Sequence, residues 1–300
     1  APSIGAMIVR DYNDFPSNCR SEKTLSEVMK QYHIPGLSGV DTRKLVRQIR
    51  NQGSGLGILT DIGTSKEEAL KKLAAYSEPR DAVSCVSRKQ IRSYPACAER
   101  KYAAGPAEET AAADKKRVFH VAAVDCGMKQ NIVRSLTRYG CEETVVPFDT
   151  KADVIRAMKP DGVFISNGPG DPQDVQPVIS LIRGIRGEFP IFGICLGHQM
   201  ISLAYGAETY KLKFGHRGGN HPVRNLQTGK IEITAQNHSY AVDEESLKKT
   251  DLEVTHVNIL DQTVEGVKCA KDRVFSVQYH PERAPGPQDS TYLFDEFIRL

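Results

Sequence analysis

The amino-acid sequence predicts the α/β class, with a doubly wound, mostly parallel sheet in its second half and a smaller α/β domain in its first half. After residue 117, short apolar runs alternate with helical segments. Each run is almost entirely apolar, as a strand covered by helices on both faces must be. Residues 98–116 carry almost no large apolar side chains and separate the two halves. We therefore predict a domain over residues 1–97, a linker over 98–116 and a second domain over 117–300.

The first half shows two strand-like runs and three helical segments. The strand-like runs are "GAMIVRDY" (5–12) and "GLGILTD" (55–61). One helix follows the Thr24/Glu27 capping box, a second runs from the Asp41 cap to Gly53, and a third lies in "TSKEEALKKLAAYS". This half offers no combination of nucleophile, base and orienting acid. We interpret it as a structural or docking domain.

The second half alternates strands and helices, which is the order of a parallel sheet with crossover helices. Helices are predicted in "NIVRSLTRYG" and "GHQMISLAY". The strand-like runs are "VFHVAAVD" (118–125), "ETVVPF" (143–148), "GVFIS" (162–166), "PIFGI" (190–194) and the start of "VFSVQYHPER" (274–283). In such sheets the ligand site lies beyond the carboxyl ends of the strands. We therefore look for function at the residues that follow these runs.

Composition excludes several classes of function. The chain has 300 residues, and its formal net charge of +3 is spread over scattered basic residues, so nucleic acid is not an expected partner. No window approaches the roughly 18 uninterrupted apolar residues of a membrane-spanning helix, and the N-terminus lacks the layout of a signal peptide. The seven cysteines form no CxxC pair, so neither a disulfide framework nor a zinc ribbon is indicated. We predict a cytoplasmic protein with no membrane partner.

Cys195 is the candidate nucleophile. It follows the run "PIFGI" and opens a helical segment, and Gly193 and Gly197 lie two residues before and after it. Small residues at these positions are typical of a tight strand-to-helix turn that lifts a nucleophile clear of its neighbours. A helix N-terminus also favours a thiolate. An isolated cysteine in such a run is more often a core residue, and the glycine spacing favours the nucleophile.

His280 and Glu282 are the candidate base and its orienting carboxylate. His280 follows the last strand-like run, and Glu282 lies two residues later, where it can accept a hydrogen bond from the imidazole. A structural role is the alternative for any one histidine. The other clustered histidines are His198, His216, His221 and His238, and their spacings match no helical pair or zinc knuckle. We predict no metal site.

The turn "SNGPGDP" (166–172) is the candidate oxyanion-binding segment. It follows the run "GVFIS", and Gly168 and Gly170 allow backbone N–H groups to point outward at the edge of the sheet. A plain turn is one alternative. A nucleotide phosphate loop is another, although the Lys-Ser/Thr ending of a P-loop is absent.

The segments "NGPGDP", "FGICLGHQ" and "HPE", in this order, resemble the class I, triad-type glutamine amidotransferase family over residues 117–300. The resemblance implies a flavodoxin-like fold and hydrolysis of glutamine through a thioester. It implies Cys195 as the nucleophile, His280 as the base and then the acid, and Glu282 as the orienting carboxylate. It also implies an oxyanion hole formed by the Leu196 and Gly170 amides.

Further segments narrow the resemblance to the family of small, glutaminase subunits of carbamoyl phosphate synthetases. They are "DCGMKQNIVRSL", "FGHRGGNHPV", "TAQNHSYAV" and residues 9–50. The resemblance implies that glutamine is held by Gly168, Gly170, Leu196, Gln199, Asn237, Ser239 and Tyr240. Its α-carboxylate would be met by Gln199 and by amides near Ser239 and Tyr240. A large synthetase subunit is the implied partner, and ATP and Mg²⁺ are expected on that partner, with no cofactor on this chain.

The sequence departs from this family in three places, one of which is the C-terminal "FDEFIRL", expected to stop one helical turn early. The family's N-terminal domain begins well before a segment like "IGAMIVRDY", so the first domain is predicted to be partial, and Arg217 stands where a small or imidazole side chain is common. Three alternative functions remain open. They are the glutaminase of another amidotransferase, of the anthranilate or guanylate synthase type, a γ-glutamyl hydrolase that acts alone, and a catalytically silent docking subunit.

Overall fold

The computed structural model describes residues 4–17, 19, 21–97, 118–283 and 285–300. The chain divides into two compact units, Ala1–Glu78 and Pro79–Leu300. This division precedes the predicted domain end at residue 97, because a strand at Arg92–Tyr94 joins the sheet of the second unit. The predicted linker, 98–116, lies outside the described residues.

The first unit contains short elements around a small parallel strand pair. Its elements are β1 (Met7–Ile8), α1 (Leu25–Gln31), β2 (Gly36–Leu37), α2 (Thr42–Gln52) and α3 (Lys66–Ala75). The predicted caps are present: Thr24 and Glu27 form the capping box of α1, and Asp41 caps α2. The strand predicted over 55–61 is wrong. Those residues pair with no strand in the described chain, and a strand without a partner leaves its backbone N–H groups unsatisfied by protein.

The second unit is built on a ten-stranded sheet with helices before, between and after its strands. Its first elements are α4 (Ala82–Val86), β3 (Arg92–Tyr94), β4 (Phe119–Asp125), α5 (Gln130–Arg138), β5 (Cys141–Pro147), α6 (Ala152–Met158), β6 (Gly162–Ile165), α7 (Gln176–Ile185), β7 (Ile191–Ile194) and α8 (Leu196–Ala204). The rest are β8 (Thr209–Asn225), β9 (Ile231–Val242), α9 (Glu244–Leu247), β10 (Glu253–Asn258), β11 (Val264–Cys269), β12 (Val274–Val277) and α10 (Tyr292–Arg299).

The strand order is β3-β5-β4-β6-β7-β12-β11-β10-β8-β9, so the parallel strands lie together near the middle. The pairs β5-β4, β4-β6, β6-β7 and β7-β12 are parallel, and the remaining pairs of this sheet are antiparallel. The prediction of a mostly parallel, doubly wound α/β core is confirmed. The carboxyl ends of β4, β6, β7 and β12 meet at one edge of this sheet, which is where the candidate site residues follow.

Apolar side chains cover both faces of the central strands. On one face Phe192 of β7 stacks on Phe275 of β12, with ring centroids 4.3 Å apart, and Phe294 and Phe297 of α10 contact Phe192 edge-on or tilted. On the other face Ile165, Ile182 and neighbouring aliphatic residues form a second buried cluster. Burial of each large apolar side chain contributes roughly 1.5 to 3 kcal/mol. These two cores fix the strand ends that carry the site.

In the described part of the chain no helix is long and apolar enough to cross a membrane.

Candidate active site

Cys195 occupies a strained turn between β7 and α8. Its backbone has φ 56° and ψ −105°, and a positive φ is uncommon for a residue with a side chain. Such outliers persist only where the surrounding structure holds them, and they are concentrated at functional positions. The backbone N–H of Cys195 donates to the carbonyl of Val277 on the adjacent strand β12 (2.9 Å), which anchors the turn to the sheet. The strand-to-helix turn expected from the glycine spacing is present.

The two glycines beside Cys195 are required by close packing. A Cβ atom at Gly193 would lie 2.5 Å from Cδ1 of Ile201, and one at Gly197 would lie 2.2 Å from the carbonyl oxygen of Ile165. Neither glycine has a positive φ. The turn therefore needs small residues so that α8 can approach the ends of β6 and β7.

His280 and Glu282 lie at the same edge of the sheet as Cys195. Strands β7 and β12 run parallel, with Ile194 opposite Val277, so the residues after them meet. Nδ1 of His280 lies 2.8 Å from Oε1 of Glu282, and both side chains are almost fully buried. The other ring nitrogen is thereby left free of Glu282, and the imidazole lies close enough to Cys195 for the two groups to interact electrostatically. The structure brings the three predicted residues together.

The electrostatics of this group favour an ion pair. Burial lowers the pKa of His280, but the charges of Cys195 and Glu282 and the hydrogen bond to Glu282 outweigh burial and raise it to about 9. Burial raises the pKa of Glu282, but His280 and Lys129 outweigh burial and lower it to about 2. Glu282 is therefore a carboxylate at neutral pH, and it stabilises the imidazolium that forms when His280 accepts a proton.

Lys129 and Asn131 also hold Glu282, and the sequence reasoning missed both. Nζ of the half-buried Lys129 lies 3.0 Å from Oε1 of Glu282, and the Asn131 side-chain amide donates to the backbone carbonyl of Glu282. Both residues stand at the start of α5, just beyond the carboxyl end of β4. They lie in the quoted segment "DCGMKQNIVRSL", and their position after a central strand was the available signal.

The turn after β6 lies against the Cys195 turn. A Cβ at Gly168 would lie 2.1 Å from the carbonyl oxygen of Cys126 and 2.8 Å from Cδ2 of Leu196, so only glycine permits this approach. Gly170 has φ 92°, a conformation that glycine adopts readily. The backbone N–H groups of Leu196 and Gly170 have no hydrogen-bond partner in the described chain. An oxyanion requires free donors of this kind, and the Leu196 N–H directly follows Cys195 in the chain.

The remaining predicted binding residues lie on α8 and on β9. The segment "QNHSY" is part of strand β9, with Asn237 exposed and its carbonyl oxygen 4.0 Å from Sγ of Cys195. Nε2 of Gln199 donates to the carbonyl of Tyr240 and to Oε1 of Gln278, each at 2.8 Å. Both amide N–H groups of Gln199 are thereby committed. Gln199 thus offers a ligand only its acceptor oxygen in this structure, and its role in binding glutamine stays a prediction.

One histidine cluster has the composition of a metal site. Ligand atoms of His216, His238 and Glu265 lie within 4.8 Å of one another. Nε2 of His216 lies 2.8 Å from Asp261, and Nδ1 lies 3.5 Å from Glu265. Burial lowers the pKa of His216, but these two carboxylates outweigh it and raise the pKa to about 9. A protonated His216 neutralises this cluster without a metal ion, and the predicted absence of a metal site stays a prediction.

Comparison with known proteins gives two family matches and many close relatives. Residues 122–300 match the family Glutamine amidotransferase class-I, and residues 1–59 match Carbamoyl-phosphate synthase small chain, CPSase domain. The carbamoyl phosphate synthase small chain of Staphylococcus epidermidis is 50% identical over 299 residues, which is 100% of this chain and 76% of the relative. That of Listeria innocua is 48% identical over 100% of this chain and 77% of the relative.

This chain belongs to the carbamoyl phosphate synthase small chain family.

Membership of this family, together with the class I domain, makes the chain a glutamine amidotransferase subunit, as the sequence predicted. The alternatives of another amidotransferase and of a γ-glutamyl hydrolase are not favoured. Among solved structures, a protein described as a GMP synthase subunit from Thermoplasma acidophilum aligns with a TM-score of 0.53 at 22% identity, over 61% of this chain and 94% of that chain. That likeness concerns the fold alone, and it agrees with the predicted flavodoxin-like architecture.

Proposed function

We propose that this chain hydrolyses L-glutamine to glutamate and delivers the ammonia to a large synthetase subunit. The observation that carries the proposal is that parallel strands β7 and β12 bring the Cys195 thiol, on its strained turn, to the same sheet edge as the His280 imidazole, which Glu282 holds. A nucleophile, a base and an orienting carboxylate in this arrangement are the requirements for covalent acyl transfer.

The proposed first step forms a thioester on Cys195. The thiol proton resides on His280, which is an imidazolium at neutral pH, and the Cys195 thiolate attacks the carboxamide carbon of glutamine to give a tetrahedral oxyanion. His280 then returns the proton to the amide nitrogen, and the C–N bond breaks to release ammonia. In the second step His280 takes a proton from water, the hydroxide attacks the thioester carbon, and the C–S bond breaks to give glutamate and regenerate the thiol. Glu282 keeps the imidazole oriented throughout.

Backbone groups are proposed to stabilise the oxyanion. The Leu196 and Gly170 N–H groups have no partner in the described chain, and the first belongs to the opening turn of α8. The positive end of a helix dipole favours negative charge at this point. Removal of one such donor typically lowers kcat by about 10² to 10³.

The substrate is proposed to lie between the Cys195 turn and strand β9. Gly168, Gly170 and Leu196 would line the carboxamide end, and Gln199, Asn237, Ser239 and Tyr240 the amino-acid end. Because only Oε1 of Gln199 remains open, we assign it as an acceptor for the α-ammonium group of glutamine. Asn237 is exposed beside the thiol and offers both a donor and an acceptor.

The large subunit is proposed to consume the ammonia in making carbamoyl phosphate from bicarbonate and ATP. The sequence carries no P-loop motif, so we assign ATP and Mg²⁺ to that partner. Support for the partner comes from the relatives, which are named as small chains. We also propose that the reaction takes place in the cytoplasm, because reducing compartments keep thiols such as Cys195 free.

Reconstitution with a large subunit tests this function. We expect glutamine hydrolysis to accelerate when the large subunit, ATP and bicarbonate are added, and carbamoyl phosphate to form in proportion to glutamate. The Cys195→Ser complex is the matched control: it should fail with glutamine but still form carbamoyl phosphate from added ammonium. Hydrolysis that proceeds at one rate with or without the partner and yields only free ammonia would identify a hydrolase that acts alone.

A further inference from the structure

A buried carboxylate at the carboxyl end of β4 takes no part in the proposed reaction. Only 7% of the Asp125 side chain is exposed. Its Oδ1 accepts hydrogen bonds from the backbone N–H groups of Gly127 (2.9 Å) and Met128 (2.8 Å). Its Oδ2 accepts from the backbone N–H of Arg88 (3.1 Å) and from the Arg88 Nε–H (2.9 Å). Asp125 therefore joins Arg88 to the turn that leads into α5.

That turn, residues 126–129, ends at Lys129 and has two further neighbours. The N–H of Lys129 donates to Oδ1 of Asn167 (3.2 Å), and Nδ2 of Asn167 donates to the carbonyl of Gly127 (3.3 Å). Gly127 has φ 112°, and a Cβ there would lie 2.9 Å from Cγ2 of Val86 and 3.2 Å from Cδ of Pro169. The turn is thus packed between the end of α4 and the segment that follows β6.

The position of this turn affects the charge balance around Glu282. Nζ of Lys129 lies 3.0 Å from Oε1 of Glu282, and Nδ1 of His280 lies 2.8 Å from the same oxygen. Oε2 of Glu282 is buried and has no hydrogen-bond partner in the described chain. A shift of the turn moves the Lys129 ammonium away from Glu282. Part of that buried charge is then uncompensated, which disfavours the ionised carboxylate that orients His280.

Arg88 supplies the positive charge beside the buried Asp125. Burial raises the pKa of Asp125, but hydrogen bonds from Met128 and Arg88 outweigh burial and hold it below its usual value. The Arg88 side chain is 19% exposed, and its guanidinium lies 5.8 Å from the centre of the Tyr94 ring. Loss of one partner of a buried ion pair leaves an uncompensated charge, which must move or take up water. Because Asp125 also holds N–H groups of the 126–129 turn, we expect the turn to move with it.

We propose that Arg88 is a positioning residue for glutamine hydrolysis, which holds Lys129 against Glu282 by way of Asp125 and the 126–129 turn. This inference rests on the proposed function. Arg88 precedes residues 122–300, which match the amidotransferase family, so it extends the catalytic framework to the segment before that domain. Its hydrogen bonds go to Asp125 rather than to the triad, and its effect on the rate passes through Lys129.

A double-mutant cycle on kcat/KM for glutamine tests this role in the full chain. The four proteins are the wild type, Arg88→Met, Lys129→Met and the double variant. We expect Arg88→Met to lower kcat/KM about ten- to a hundredfold, since a displacement of about 1 Å near a reacting group has effects of that size. In the Lys129→Met background the same substitution should change kcat/KM little, because the group that Arg88 positions is already absent. Independent effects multiply, so losses that multiply in the double variant would overturn the inference.

Two variants of the same segment are the controls. Arg88→Lys keeps a positive charge beside Asp125 and should recover most of the lost activity. Arg92→Met removes a guanidinium that also lies over Tyr94, 5.2 Å from the ring centre. Arg92 is exposed on β3, so this variant should keep the wild-type kcat/KM. An Arg88→Lys variant as impaired as Arg88→Met, or an equal loss in Arg92→Met, would also overturn the inference.

Thermal unfolding ensures that the cycle reports on folded proteins. All rates are measured below the Tm of each variant. If Arg88→Met does not fold, Arg88→Gln, which keeps a neutral donor near Asp125, takes its place in the cycle. A wild-type chain that hydrolyses no glutamine, alone or with its partner, would refute the proposed function. An active wild type whose two losses multiply would refute the positioning role of Arg88 alone.

Discussion

Substitution of Gly197 by alanine tests whether the Cys195 turn depends on the close approach of α8 to β6. The added Cβ would lie 2.2 Å from the carbonyl oxygen of Ile165 and 2.9 Å from its carbonyl carbon. Ile165 is fully buried at the end of β6, so that oxygen has no free space to move into. The helix must therefore move away from the strand.

The size of that movement follows from the contact distance. Ordinary contact begins near 3.4 Å, so α8 and the Cys195 turn must move by roughly 1 Å. Overpacking of this kind typically costs about 1 to 3 kcal/mol, which corresponds to a fall in Tm of roughly 2 to 10 °C for a unit of this size. A displacement of about 1 Å at a reacting group can lower the rate about a hundredfold.

The assay combines thermal unfolding with glutaminase kinetics on Gly197→Ala and on the control Gly219→Ala. A Cβ at Gly219 would meet nothing within 4 Å, and its φ is not positive, so the control should keep the wild-type Tm and kcat. We expect Gly197→Ala to lose both stability and turnover. Wild-type values for Gly197→Ala would refute the argument that this glycine is needed for the turn.

Three further predictions concern charged groups at and near the site. His280→Asn should lower kcat by about 10² to 10⁴, and Glu282→Ala should lower it less, in steady-state ammonia release; a fully active His280→Asn would point to another base. Lys129→Met should raise the pKa of Glu282, since the lysine charge lowers it. Glutaminase activity should therefore fall at a higher pH than in the wild type as the solution is acidified. A pH–rate profile identical to wild type would show that Lys129 has no such role. His216 has a folded pKa of about 9, above the usual value near 6.5, so its contribution to stability is complete below pH 6.5 and is lost as pH rises through 9. The free energy of unfolding, measured with urea at pH 6 and pH 9, should fall between the two pH values in the wild type and fall less in His216→Gln. Equal losses in both proteins would contradict this role of His216.

The central strands and the catalytic candidates were predictable because their signals are local. Strands β4 to β7 are short apolar runs, and Cys195 and His280 directly follow such runs. Parallel pairing places the ends of those runs at one sheet edge, which is enough to expect a site there. The glycines around Cys195 were a further signal of a tight strand-to-helix turn, because such a turn needs small residues and residue size can be read from the sequence.

The features that the sequence did not predict depend on contacts between residues that lie far apart in the chain. Strand β3 is short and polar, and only its pairing with β5 makes it part of the sheet. The ion pair of Lys129 with Glu282 joins residues far apart in sequence, and the committed amide of Gln199 depends on Tyr240 and Gln278. The strand expected over 55–61 failed for the same reason, since an extended run needs a partner that its own sequence does not specify.

Trapping of the covalent intermediate tests the central claim most directly. The full protein is mixed with glutamine labelled in its carbon chain, quenched with acid during steady-state turnover, digested and mapped by mass spectrometry. We predict a γ-glutamyl thioester on Cys195, absent from Cys195→Ser. Burial raises the pKa of Cys126 far above its usual range, so that thiol should stay unlabelled. A glutamyl adduct on Cys126 or Cys269, or active hydrolysis by Cys195→Ser, would contradict the assignment of Cys195 as the nucleophile.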